Sequence, residues 1–276
     1  MKEIKKQLKI AVAQYPLLFP ANEAEIHENM RRTEDMVRSI AQNETGLDLL
    51  LFCEECIDNV GMERMEAVFT GEVLLAVENF WKRMASIAGT HIVAGHNGKE
   101  GGLWRNYATC FSPDGDIVAR YAKSHLYFAE RGFYTPGDEP LVFNFKGWKV
   151  SMLICADLGF PEFSRLMAMG GCELFLAPSS WVYPHDELWI LCNRLRAAEN
   201  MAYLVSANHC GEVPNGQYKL GHSMAVNPKG DIIASLGTQK YGYFVANLEH
   251  DAVYAERKAL PWLDWIRGDL YKKLYD

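Results

Sequence analysis

The chain is 276 residues long, 49% hydrophobic and 12% aromatic, with a formal net charge of −7. Its 28 basic and 35 acidic residues are interleaved, so no basic tract offers a footprint to nucleic acid or to an anionic membrane. No apolar run approaches the roughly 20 residues of a membrane span, and the chain is long enough to bury a large core without staples.

The first element expected is a strand, Leu8–Gln14, apolar and partly β-branched. Lys2, Lys5, Lys6 and Lys9 ahead of it faintly resemble a secretion signal. Gln14 and Pro16 interrupt the apolar run, and no small-residue cleavage site follows. A soluble, cytoplasmic protein is the expectation. Ala24–Gln42 places Ile26, Met30, Met36, Val37 and Ile40 near helical spacing, with Asn22 as its N-cap. Leu49–Phe52 is a short continuous apolar run, which suits a strand buried on both faces. Leu74–Ala88 follows as a helix and His91–Gly95 as a strand.

The middle of the chain turns to hairpins. Tyr107–Ser112 and Ile117–Ala122 flank Pro113-Asp114-Gly115-Asp116, where proline presets φ and glycine supplies a positive φ. Leu141–Phe145 and Lys149–Ile154 flank Lys146-Gly147-Trp148 in the same way. A helix Pro161–Met169, a strand Leu174–Ala177, a helix Asp186–Met201 and a strand Tyr203–Ala207 come next. Two last strands meet at Pro228-Lys229-Gly230-Asp231. Crossovers mixed with hairpins predict mixed sheets. Two such sheets packed face to face, with helices outside, form a four-layer αββα sandwich, and no linker or low-complexity tract divides it. One domain over 1–276 is expected.

Seven cysteines (53, 56, 110, 155, 172, 192 and 210) are an odd number without framework spacing, so a reducing compartment is the default. The close pair Cys53 and Cys56 lacks the second pair a zinc site wants, and it ends a strand where a redox motif opens a helix. Buried thiols are the simpler reading, and no metal is expected.

Three strand ends break the apolar pattern where layered α/β folds tend to build sites. Leu49–Phe52 runs into Cys53-Glu54-Glu55, and carboxylates directly after a buried strand are costly unless paired or exposed. Ile117–Ala122 runs into Lys123-Ser124-His125. Val150–Ile154 runs into Cys155-Ala156-Asp157, with a helix opening at Pro161. A cysteine between a strand and a helix is well placed for a nucleophile: the helix dipole is expected to favour its thiolate, and the Ala156 N–H is free to serve an oxyanion. Each residue also has a plain structural reading, as a small core thiol, a solvated rim charge or a paired carboxylate.

The three segments resemble the signatures of the nitrilase superfamily of carbon–nitrogen hydrolases. Phe52-Cys53-Glu54 is similar to the family's Phe-Pro-Glu block. Tyr121-Ala122-Lys123-Ser124-His125-Leu126 is similar to its Tyr-x-Lys-x-His-Leu block, and Cys155 through Glu162 to its Cys-x-Asp-x-x-Phe-Pro-Glu block. The spacings agree, 69 residues from Glu54 to Lys123 and 32 more to Cys155. Glu130, before Thr135-Pro136-Gly137, falls where the family has a second active-site glutamate bonded to the catalytic lysine. Ala177-Pro178-Ser179-Ser180-Trp181, Arg196 through Asn200, Gly221-His222-Ser223 and the tail from Leu260 extend the resemblance over nearly the whole chain. Cys53 replaces the usual proline. Gly159 stands where the omega-amidase-like branch often has arginine, which counts against a carboxylate-bearing amide.

The resemblance implies hydrolysis of a small carboxylic amide without a cofactor. Cys155 is the implied nucleophile, Glu54 the proton shuttle and Lys123 the oxyanion cation, with Glu130 beside it. Ala156 would supply the oxyanion N–H, and Trp181, Tyr127, Phe128 and Phe160 would line or flank the pocket. Nitrile or N-carbamoyl hydrolysis would use the same triad. A Cys–His hydrolase drawing on His125 or His222, and a silent scaffold of the same fold, are the remaining alternatives. Family dimers imply a homodimer, with the tail at about 255–276 reaching the partner.

Overall fold

The computed structural model of the chain describes residues 4–16, 18–213, 218–238 and 240–274. Lys2 and the last two residues of the tail lie outside this set. In chain order the strands are β1 (Gln7–Gln14), β2 (Leu49–Leu51), β3 (His91–Glu100), β4 (Leu103–Phe111), β5 (Ile117–Ala122), β6 (Phe143–Phe145) and β7 (Trp148–Met152). They continue as β8 (Leu174–Ser179), β9 (Tyr203–Asn208), β10 (Cys210–Glu212), β11 (Tyr218–Leu220), β12 (Met224–Val226), β13 (Ile232–Ser235) and β14 (Gly242–Glu249).

Two six-stranded sheets result, ordered β14-β1-β2-β3-β4-β5 and β13-β12-β9-β8-β7-β6. Read from β14 and from β6, both sheets follow one ladder: antiparallel, parallel, parallel, antiparallel, antiparallel. The two sheets therefore share one ladder with no visible sequence repeat, the first completed by β14 from the far end of the chain. The sheets face each other, β1 over β9 and β3 over β8, and β2, β8 and β9 are buried along their whole length. Helices Glu23–Asn43 and Gly71–Ala88 cover the first sheet; Pro161–Met169 and Asp186–Asn200 cover the second. This is the four-layer αββα sandwich.

Local chemistry accounts for the boundaries. Asn22 caps the first helix by accepting from the Glu25 N–H at 3.0 Å. Thr70 caps the second through the Val73 N–H, three residues before the apolar pattern begins at Val73 and Leu74. β3 runs five residues beyond Gly95, through polar His96 and Asn97, because β4 pairs with its whole length and buried partners satisfy the side chains. β14 and the helix His250–Ala259 have no counterpart in the sequence reading. β14 is an edge strand, half-buried along most of its length, so its periodicity is weak until β1 pairs with it over eight residues. Among the described residues no helix is long and apolar enough to cross a membrane.

Candidate active site

Glu54 sits two residues past Phe52, where the backbone still follows β3: Phe52 N–H donates to Val93 O, and Gly95 N–H to Cys53 O at 3.1 Å. Gly95 makes this approach feasible, since a Cβ there would lie 2.5 Å from Glu54 Cα. Buried His209 holds the Glu54 carbonyl from the other sheet, its Nε2 at 2.7 Å. Lys123 follows β5, its N–H donating to Asn106 O and its carbonyl accepting from Gly137 N–H. A Cβ at Gly137 would meet Ala122 O at 2.3 Å, so the loop that carries Glu130 folds over Lys123 only with glycine there.

Cys155 opens a 3-10 turn, Cys155–Gly159, with φ of 47°. A non-glycine residue in this left-handed region costs on the order of 1–3 kcal/mol, which the surroundings must hold in place. Asp157 does much of the holding. Its fully buried carboxylate accepts from Ile154 N–H (2.8 Å), Tyr121 O–H (2.8 Å), His125 N–H (2.9 Å) and His125 Nδ1 (2.8 Å). One side chain thereby fixes the Cys155 turn to the Lys123 loop.

The structure brings Glu54, Lys123, Glu130 and Cys155 together. Lys123, 2% exposed, donates from Nζ to Glu54 Oε1 at 2.7 Å and to Glu130 Oε1 at 2.8 Å. The Cys155 thiol faces the Glu54 carboxyl and helps to lower its pKa, and Asn106 Nδ2 donates to Glu54 Oε1 at 2.9 Å. Burial opposes ionisation of Glu54, but Lys123 and these hydrogen bonds outweigh it and hold the carboxyl below its ordinary range. Glu130 moves up, because burial and the Glu54 charge outweigh Lys123. Lys123 is held well above its ordinary value by the carboxylates and Cys155, against burial.

The Cys155 thiol is pushed strongly up, first by burial and then by Glu54, against the pull of Lys123. This corrects the expectation that a helix dipole favours the thiolate. The helix begins at Pro161, with the 3-10 turn between it and Cys155, so burial and the nearest carboxylate decide. Cys155 therefore rests as a thiol.

A cavity of about 500 Å³ opens over the cluster, the size of a small-ligand site. Ala156, Tyr127 and Trp181 line it, and Trp181 Nε1 donates to Cys155 O at 3.2 Å. Phe128 and Phe160 do not. The 3-10 turn that aims Glu130 at Lys123 leaves Phe128 83% exposed, and Phe160 stacks on the His125 ring at 3.9 Å. Neither His125 nor His222 lines the cavity.

The cavity wall includes further residues, beyond those expected from the sequence to carry the chemistry. Glu55, Asn59 and Tyr134 form one side. Tyr134 O–H lies 2.7 Å from Glu55 Oε1 and 2.5 Å from Asn97 Oδ1, two acceptors for one hydrogen. A proton on Glu55 resolves that conflict, and burial beside Glu54 raises its pKa to about 8. Lys219 and Ser180 form part of the other side. Glu55 carries a weak sequence signal as Glu54's neighbour; Lys219 carries none, since nothing local marks a lysine on a three-residue strand. All seven cysteines are free, and only Cys155 is not fully buried. Among the described residues no group of three or more His, Cys, Asp or Glu side chains could hold a metal.

The family model for carbon-nitrogen hydrolases matches residues 9–258. A 2-oxoglutaramate amidase of Bacillus subtilis is 30% identical over 203 residues, covering 71% of this chain and 76% of its own. A hydrolase from the pqqF 5′ region of Pseudomonas protegens is 28% identical over 275 residues, covering 98% and 92%. The crystal structure of an amidase from Nesterenkonia sp. superposes with a TM-score of 0.85 at 26% identity, covering 98% of each chain. A variant of that amidase, from strain AN1, carries the acetamide moiety of fluoroacetamide on its active-site cysteine; another was solved with butyramide.

Proposed function

The chain belongs to the carbon-nitrogen hydrolase family, and on that premise we propose that it hydrolyses a small carboxylic amide to acid and ammonia through a thioester on Cys155. The observation that carries this reading is the buried cluster itself: Lys123 Nζ lies 2.7 Å from Glu54 Oε1, and Cys155 faces the same carboxyl in the wall of the same cavity. Relatives that act on amides support the choice of bond, and the apolar wall of Val60, Met62, Trp181 and Val182 supports a compact acyl group.

Each step follows from proton and charge positions. Glu54 is ionised and accepts the Cys155 proton as sulfur attacks the carbonyl carbon, so no resting thiolate is required. The carbonyl electron pair moves to oxygen. Lys123 gives two of its three N–H donors to Glu54 and Glu130 among the described residues, leaving one for that oxyanion beside the Ala156 N–H. Glu54, now protonated, transfers the proton to the departing nitrogen, and ammonia leaves. Glu54 next deprotonates water, which attacks the thioester. Collapse expels Cys155 sulfur, which recovers the proton from Glu54.

Glu130 is assigned to hold Lys123 in place. The chain is read as one domain, acting as a homodimer. Leu188, Leu191 and Leu195 form an exposed stripe on the helix Asp186–Asn200, with exposed Leu166 and Met169 on the helix Pro161–Met169. Trp262 and Trp265 in the tail are exposed as well. A monomer rarely leaves such a patch in water.

Ammonia release across a panel of small amides, nitriles and N-carbamoyl compounds tests the bond cleaved. Intact-mass spectrometry during turnover, followed by digestion, tests the nucleophile. The expected result is turnover of a neutral short-chain amide with an acyl increment on Cys155. An increment on another cysteine would overturn the assignment, and turnover confined to nitriles or N-carbamoyl compounds would move the reading to those reactions.

A further inference from the structure

Ser180 follows β8 directly and lines the same cavity as Cys155, with its backbone N–H acting on the Cys155 thiol to lower its pKa. Its other polar atoms are held from one source. Lys219 Nζ donates to Ser180 O at 2.8 Å and to Ser180 Oγ at 2.8 Å. The strand that carries Lys219 is fitted to this purpose. β11 pairs with β10 on one edge, and on the other with the segment after Ser180: Lys219 bridges to Val182, Leu220 N–H donates to Trp181 O, and Tyr183 N–H to Tyr218 O. β10 is tied to the first sheet through Cys210 N–H to Tyr15 O at 3.0 Å. Lys219 is 9% exposed and its side chain forms part of the cavity wall.

We infer that Lys219 is a positioning residue for the nucleophile: it clamps Ser180 so that the Ser180 N–H stays aimed at Cys155 sulfur, and its charge favours the thiolate. The inference rests on the reading of Cys155 as nucleophile and goes beyond it. Proton transfer from Cys155 to Glu54 moves a negative charge off the carboxyl that Lys123 and Asn106 hold. That charge arrives on sulfur, where an N–H and a second ammonium receive it. Lys219 faces Cys155, Glu54, Glu55 and Lys123; Cys155 faces Glu54, Lys123 and Glu130 as well as Lys219. Burial lowers the Lys219 pKa, and the developing thiolate and the two carboxylates act against that drop. A lysine buried in this wall is costly unless its ammonium is used, and here it secures both the carbonyl and the hydroxyl of one residue. Fixing Ser180 O and Oγ fixes that residue beyond its Cα and leaves its N–H little freedom to turn from sulfur.

The experiment is the rate of Cys155 alkylation by iodoacetamide, in which sulfur displaces iodide, measured from pH 6 to 10. The proteins are the full-length wild type, Lys219→Met, Lys219→Arg and Ser180→Ala, with the modified residue identified by digestion. Lys219→Met is expected to move the pH profile up by about one unit, so that alkylation at neutral pH slows about tenfold. With butyramide as substrate, kcat should fall in step while KM changes little. Lys219→Arg should recover most of the rate, since a guanidinium can still bond Ser180. An unshifted profile in folded Lys219→Met overturns the inference, whether or not KM rises for charged amides. If Lys219→Met does not fold, Ser180→Ala carries the test: it keeps the N–H but loses one of the two tethers, and its profile should shift in the same direction by less. An unshifted Ser180→Ala profile would then overturn the inference. Alkylation of the wild type at a residue other than Cys155 would instead refute the nucleophile reading.

Discussion

Replacing Lys123 by methionine separates its electrostatic role from its shape. The ammonium is buried between Glu54 and Glu130, which are themselves buried or nearly so. Removing it strands two carboxyls in a low-dielectric pocket, and breaking a buried pair in this way costs about 3–5 kcal/mol. The cost has a defined pH dependence. In the wild type the depressed Glu54 pKa gives stability that is full above the unfolded carboxylate value near 4.3 and is lost only as pH falls through the folded value. Glu130, already raised, costs some stability as pH rises above about 4.3. Without Lys123 both groups are raised in the fold, so the folded state binds more protons than the unfolded one and stability falls as pH rises. One proton taken up on folding corresponds to about 1.4 kcal/mol per pH unit, or about 3 kcal/mol between pH 5.5 and 7.5. Urea unfolding at those two pH values is the assay. The variant should lie close to wild type at pH 5.5 and several kcal/mol below it at pH 7.5. Loss of an oxyanion donor should also lower kcat by about 10²–10³-fold, measured at pH 5.5 where the variant is folded. A deficit equal at both pH values, or below about 1 kcal/mol at pH 7.5, would refute the picture of two carboxylates held ionised by one cation.

Cys155→Ala should abolish both turnover and adduct, whereas Glu54→Gln, which cannot accept a proton, should slow acylation and deacylation together in single-turnover traces; full activity in Glu54→Gln would require another base. Glu55 is raised to about 8, so it weakens the fold as pH rises from about 4.3 towards 8; Glu55→Gln should remove that slope and raise the urea midpoint at pH 8.5 relative to wild type, and an unchanged slope would contradict a protonated Glu55. In sedimentation the wild type should be a dimer at micromolar concentration, and Leu191→Glu with Leu195→Glu should dissociate it; a wild-type monomer would remove the homodimer.

The sequence by itself determined the layers and the three loops that matter. Continuous apolar runs at 49–52 and 174–177 require burial on both faces, and the crossover helices together with the hairpin turns implied two mixed sheets. Glu54, Lys123 and Cys155 were legible because each interrupts an apolar strand at its end and because their surroundings resemble a family's blocks. Edge strand β14 was not legible, since half-buried strands acquire their pattern from the neighbour that pairs with them. Nor was the protonation of the site. A cysteine before a helix suggests a thiolate, yet burial beside Glu54 holds it as a thiol, a balance set by distances between loops 69 and 32 residues apart in the chain. Phe128 and Phe160 lie beside catalytic blocks in the chain but face away from the cavity, because a turn sends neighbouring side chains in different directions. Lys219 is the reverse case. Its surroundings in the chain say nothing, and only the pairing of β11 with the segment after Ser180 carries its ammonium to Ser180 in the cavity wall beside Cys155.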